Sequence, residues 1–156
     1  MKIYTYENIK KGLLEETYLY FKFISYLFAA PIAYAAYKLR ISANQITIIG
    51  ILLSIPAAFL NIKGYYISAL VFFHLFFLCD AVDGVLARGT NTKSLLGKYL
   101  DDLAHYIFHT LFIMTFAFSV FQKGYKILAL FLILCFKNIQ STLRIFRINL
   151  EVINAI

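Results

Sequence analysis

The chain has 156 residues, of which 62% are hydrophobic, 18% aromatic and 15% charged. Soluble domains carry about 25% charged residues, so the composition excludes a water-soluble domain: one of this length has too little interior to hide so much apolar surface. The formal net charge of +7 comes from basic residues scattered singly between apolar runs; they form no basic helix face, which argues against nucleic acid as a partner.

Residues 1–156 read as one all-α membrane domain. The opening stretch, MKIYTYENIKKGLLEETYLY, lacks the short apolar core and small-residue cleavage site of a signal peptide. Residues 17–38, which contain YFKFISYLFAAPIAYAAYK, are long enough to span a membrane but carry Lys22 and Pro31 and end in YKLR. An amphipathic helix lying in the membrane interface suits them better than a span. Four further segments, 43–61, 64–86, 97–121 and 124–143, approach the roughly 20 apolar residues that a spanning helix needs. Alternating polar strands are absent from the sequence, and helix is the form that satisfies its own backbone in lipid. Cys79 and Cys135 both lie in apolar runs and read as small buried hydrophobes, with no disulfide framework and no zinc pattern.

The loops set an orientation. Lys63, Lys123 and Lys126 mark one side; Lys38, Arg40, Arg88, Lys93, Lys98, Lys137, Arg144 and Arg147 mark the other. Basic residues concentrate on the cytoplasmic side, so the stretch from Asp80 to Asp102 is expected to face the cytoplasm.

That stretch carries the chemistry. Asp80 and Asp83 are three residues apart and share a helix face, which Gly84 and Ala87 continue with almost no side chain before Arg88. The next helix presents Gly97, Asp101 and His105 at intervals of four, again on one face. Carboxylates near hydrocarbon are costly unless paired or bound to a cation, and clustered oxygen ligands suit magnesium or manganese. Such ions in turn suit phosphate oxygens, and Arg88 is placed to fork onto a phosphate. The competing view of any single aspartate is a solvated helix end with ordinary ion pairs.

The pattern D-x-x-D-G-x-x-A-R, eight residues, then G-x-x-x-D-x-x-x-D resembles the signature of the CDP-alcohol phosphotransferases. This chain supplies Asp80, Asp83, Gly84, Ala87, Arg88, Gly97 and Asp101, then His105 where the last aspartate belongs. The stretch ISANQITIIGILLS is similar to the family's first spanning helix, which often opens with T-P-N-x-x-T; Asn44 and Thr47 fit it, while Ser42 and Ala43 depart. The resemblance also implies an interfacial helix before that span. It implies Mg2+ or Mn2+ held by Asp80, Asp83 and Asp101, a cytidine pocket lined by Gly84, Ala87 and Gly97, and Arg88 on phosphate. It implies CDP-diacylglycerol or another CDP-alcohol as donor and an alcohol acceptor at the bilayer, with release of CMP in phospholipid synthesis.

His105 stands where the family carries a carboxylate that the resemblance implies as general base and also as a metal ligand. An imidazole serves as a base near neutral pH but is a poorer ligand for magnesium than for manganese. Asp102 does not replace the aspartate, being turned by about 100° around the helix. His74 and His109 read as polar residues satisfied within the bundle. Lys137, Arg144 and Arg147 stand where the family often holds an acceptor's phosphate, and they read equally well as positive-inside anchors. The family has six spanning helices against four here, so a fragment, a shortened homologue or a homodimer are the forms expected. Two other functions compete with the enzyme: a weakened relative that binds CDP and metal without turnover, and a cation-transporting or structural membrane subunit.

Overall fold

The structure, a computed structural model, describes residues 4–13, 25–126, 128, 130, 132 and 133. A short helix, α1 (Tyr6–Lys10), opens behind Thr5, whose hydroxyl accepts from the Asn8 backbone while the Asn8 side chain reaches back to the Thr5 backbone. A π-helical turn at Ser25–Ala29 runs into α2 (Ala30–Lys38), with Pro31 in the first turn, where its missing N–H has no partner to lose. Three long helices follow: α3 (Ala43–Ile62), α4 (Tyr66–Gly89) and α5 (Leu95–Gln122). Ser42 caps α3 in a reciprocal box with Gln45, and Ser94 caps α5 by accepting from the Gly97 N–H at 3.0 Å.

The long helices also end alike. At the close of α3, Gly64 takes a positive φ and its N–H bonds to the Asn61 carbonyl, while Tyr65 bonds back to Leu60. Gly124 ends α5 in the same way, through Phe121 and Val120. Asn91, at φ 57°, closes α4 through Arg88, with Thr92 bonding back to Ala87. Arg40, at φ 59°, repeats the motif after α2. Glycine is the usual residue at such a left-handed close, and asparagine is an accepted substitute. An arginine there is strained, and this cost is why the turn after α2 is hard to read from sequence.

Each long helix is long and apolar enough to cross a membrane, and no strand occurs among the described residues. The chain is therefore an all-α membrane bundle. The expected spans 43–61, 64–86 and 97–121 correspond to α3, α4 and α5; α4 runs on to Gly89 because the Asn91 turn, rather than the end of the apolar run, stops it. Most of the expected span 124–143 lies outside the described residues, as do residues 17–24 of the expected interfacial helix, Cys135, Lys137, Arg144 and Arg147.

Helix α3 turns small residues inwards and large apolar ones outwards. Beside the buried Ile46, the inner face of α3 carries Thr47, Gly50, Ser54, Ala57 and Asn61, small or polar at intervals of three or four. Its exposed face carries Ile48, Ile49, Leu52, Ile55 and Phe59. Lipid offers no penalty for the large apolar side chains, so small residues are reserved for close helix approach. Gly50 illustrates the closeness: a Cβ there would meet Cys79 Cβ at 3.4 Å and the Phe76 ring at 3.5 Å. Asn61, fully buried, donates to the Phe112 carbonyl at 3.1 Å and ties α3 to α5.

The N-terminal elements pack on the end of this bundle where α3 and α5 begin and α4 finishes. Ile9 of α1 is fully buried in a cluster with Ala29, Ala33 and Ala36 of the α2 arm and Val82, Val85 and Leu86 of α4. Burying one such side chain is worth about 1.5–3 kcal/mol. The other face of the arm leaves Leu27, Phe28 and Ile32 exposed.

Candidate active site

At that same end, α3, α4 and α5 leave an open cleft of about 540 Å³ between them, within the range of sites that hold small organic ligands. Each helix contributes one face to it. From α3 come Asn44 and Thr47, three residues apart; from α4, Asp83, Gly84, Ala87 and Arg88; from α5, Gly97, Lys98 and Asp101. The α4–α5 link adds Thr92, Lys93 and Ser94. The resulting wall is acidic at depth and basic at the mouth.

Beneath the cleft, Asp80, Asp101 and His105 each bring a ligand atom within 4.8 Å of the others. His105 Nδ1 lies 3.2 Å from Asp101 Oδ1, and its Nε2 lies 3.7 Å from Asp80 Oδ1. All three side chains are half-buried. The i,i+4 spacing on α5 brings Asp101 and His105 together, and the packing of α5 on α4 adds Asp80. A void of about 10 Å³, room for one water-sized sphere, adjoins them between Thr47, Asp80, Asp83 and Asp101. Two carboxylate oxygens and an imidazole nitrogen form a donor set that manganese accepts readily and that magnesium, which prefers oxygen alone, takes less well.

Asp83 takes a different partner. Its carboxylate accepts a hydrogen bond from the Thr47 hydroxyl across the α3–α4 interface, and both residues are buried. Asp83 still lines both the cleft and the small void, one turn above Asp80.

Gly84, Ala87, Arg88 and Gly97 all line the cleft. A Cβ on Gly84 would lie 2.8 Å from Arg88 Nη1 and 3.1 Å from Nη2, so the guanidinium occupies the space that a side chain at residue 84 would fill. Arg88 Nε donates to the Gly12 carbonyl at 2.6 Å. A Cβ on Gly97 would meet Asn44 Oδ1 at 3.1 Å and Ser94 Oγ at 3.2 Å, so the glycine allows the starts of α3 and α5 to approach.

An aromatic layer lies directly below. Phe76 and Phe108 stack at 4.0 Å with planes 7° apart, both buried, and Phe76 meets the His105 ring edge-on at 5.4 Å. Phe73 and Phe112 extend the layer. His109 lies one turn from His105, its ring stacked on that of His105 and its Nδ1 2.8 Å from the His105 carbonyl. His74 Nδ1 lies 2.7 Å from the Leu70 carbonyl. Neither histidine joins the Asp80–Asp101–His105 group. Phe76 and Phe108 were not legible as site residues, although Phe108 follows His105 by three and so shares its face.

The fold and this end of the bundle define an integral membrane protein with an Asp–Asp–His group under an open polar cleft. A family profile described as CDP-alcohol phosphatidyltransferase matches residues 40–155, and the chain belongs to that family. No curated protein and no solved structure matches the chain. The family performs transfers from CDP-linked donors to alcohols and is generally dependent on a divalent metal.

Proposed function

We propose that this protein transfers a phosphatidyl group from a CDP-linked lipid such as CDP-diacylglycerol to an alcohol, releasing CMP. The observation that carries this reading is the convergence of Asp80, Asp101 and His105 beneath the cleft, in a chain of this family. Gly84, Ala87 and Gly97 line the cleft that would receive the cytidine, the first lying under the Arg88 guanidinium and the last against Asn44 and Ser94. Arg88 holds a phosphate, its fork suited to two oxygens at once. Mg2+ or Mn2+ would be held by Asp80, Asp83 and Asp101, where it would neutralise the diphosphate charge.

In the transfer, the acceptor's hydroxyl oxygen forms a bond to the lipid-bearing phosphorus. The bond from that phosphorus to the bridging oxygen breaks, and the bridging oxygen leaves with CMP. His105 takes the hydroxyl proton. Its Nδ1 faces Asp101, which orients the ring, and its Nε2 side is turned towards α4 and Asp80. A second reading has its own support: the 4.8 Å grouping suits His105 as a third metal ligand instead of the base.

The helix lengths suit a lipid-linked donor. At 1.5 Å per residue α5 is roughly 42 Å long against about 30 Å of hydrocarbon, so its first turns can reach the headgroup level. The eight-to-three distribution of basic residues supports a cytoplasmic cleft, and Lys137, Arg144 and Arg147 would meet an acceptor's phosphate there. The test is CMP release from CDP-diacylglycerol by the membrane-inserted protein, with manganese and a panel of alcohols. Binding of CDP without release of CMP under any condition would leave the weakened-relative reading in its place.

A further inference from the structure

The Gly12 carbonyl lies far in sequence from the cleft, yet it accepts from Arg88 Nε at 2.6 Å. The surrounding geometry is close-fitting. A Cβ on Gly12 would fall 2.3 Å from the Val85 carbonyl oxygen and 2.7 Å from the Gly89 nitrogen, both backbone atoms that cannot swing away. From the other side, a Cβ on Gly89 would fall 2.6 Å from Ile9 Cα and 2.7 Å from the Ile9 carbonyl oxygen. Two glycines thus let the N-terminal segment lie backbone to backbone on the last turns of α4, and the fully buried Ile9 anchors it there. Tyr4 adds a further tie, its N–H donating to the Tyr37 hydroxyl at 3.0 Å.

An arginine side chain has several rotatable bonds, and at the end of a helix it would sample many orientations. Bonding through Nε fixes the plane of the guanidinium near its root. Nη1 and Nη2 then lie over Gly84, beside the cleft. We infer that residues 5–13 form a positioning element for Arg88, in which the Gly12 carbonyl aims the guanidinium at the phosphate of a nucleoside diphosphate. The inference rests on the proposed role of Arg88 as the phosphate-holding group. Gly12 lies before the residues matched to the family, 40–155, so the carbonyl half of this device belongs to the N-terminal segment of this chain and the guanidinium half to the matched region. Pre-orientation raises affinity because the ordering of the side chain is complete before the ligand arrives.

The test uses the purified full chain, titrated with CDP and, separately, with cytidine, which lacks phosphate. Gly12→Ala should weaken CDP binding roughly tenfold and leave cytidine unchanged, the loss of one aimed charge-assisted contact. Gly89→Ala, which lifts the segment from the opposite side, should do the same. In an Arg88→Ala background, Gly12→Ala should add less than about twofold, since both changes remove one interaction. A second measurement needs no variant. By reciprocity, CDP should slow amide hydrogen exchange across residues 5–13 of the unaltered protein, and cytidine should not. Equal weakening of CDP and cytidine, full additivity with Arg88→Ala, or unchanged exchange on adding CDP would overturn the positioning role. Those results leave the function of Arg88 standing, provided that Arg88→Ala itself weakens CDP. If the unaltered chain binds no CDP, or Arg88→Ala binds it as well, both readings fall together.

Discussion

The Thr47 hydroxyl of α3 donates to the Asp83 carboxylate of α4, and each residue is only 6% exposed. This bond joins the helix that resembles the family's first span to the helix that carries Asp80 and Asp83. It gives a buried carboxylate a partner that needs no charge of its own.

Thr47→Val keeps the shape and removes the donor. Leaving a buried acceptor unmade costs about 1–3 kcal/mol. Thermal unfolding in detergent should show that loss, and Thr47→Ser should recover most of it. Equal destabilisation by Val and Ser would mean that the Thr47 methyl packing, and not the hydrogen bond, matters at this position.

Gly84→Ala should act on ligand and not on fold. The atoms nearest the added Cβ are those of the Arg88 guanidinium, a side-chain end that can give way at the cost of its orientation. CDP affinity should fall by about tenfold, the scale of one displaced charge-assisted contact, with the melting temperature nearly unchanged. A large drop in melting temperature would show that the residue packs against more than the guanidinium.

Divalent metal should stabilise the protein if Asp80 and Asp101 hold it, because a ligand bound only by the folded state raises its stability by mass action. Added Mn2+ should raise the melting temperature, EDTA should reverse the rise, and Asp80→Asn and Asp101→Asn should each abolish it. A rise that persists in both variants would place the ion elsewhere.

His105 separates the two readings of its role. As general base, it should contribute about 10²–10⁴-fold to turnover, and His105→Ala should lose that factor while retaining manganese-dependent stabilisation. As a metal ligand, its removal should weaken the stabilisation as well. His105→Asp, which restores an all-oxygen donor set, should shift the metal preference from manganese towards magnesium. Full turnover by His105→Ala would end both assignments.

Side-specific labelling tests the orientation. In a background lacking Cys79 and Cys135, Leu95→Cys, at a position 89% exposed, should react with an impermeant maleimide only from the cytoplasmic side. Tyr65→Cys, at the opposite end and 63% exposed, should react only from the other side.

Much of this site could be read along single helices. Asp101 and His105 share a face because four residues make about one turn, and Asn44 and Thr47 sit on the cleft wall at the spacing of the family's opening motif. Contacts between helices were less legible. Spacing alone put Asp83 beside Asp80, but nothing in either helix says that Thr47 is Asp83's partner, 36 residues away. The bond from Arg88 to Gly12 spans 76 residues and depends on two glycines whose lack of side chain matters only when one backbone meets another. Arg40 at a left-handed turn was hidden for a different reason: its intrinsic preference points the other way, and the packing of α2 overrides it.

The stacked Phe76 and Phe108, with Phe73 and Phe112 beside them, also bear on permeation. A transport pathway needs polar groups to hand an ion onwards, because an unsolvated charge in hydrocarbon is expensive. Beneath Asp80 and Asp101 the described helices offer aromatic faces packed at 4.0 Å, and an ion resting on the two carboxylates meets a plug. Among the described residues, the stacked rings close the way down from the two carboxylates. The described helices thus set a floor of stacked rings under a polar mouth, an arrangement suited to holding charge at a membrane's edge and not to passing it on.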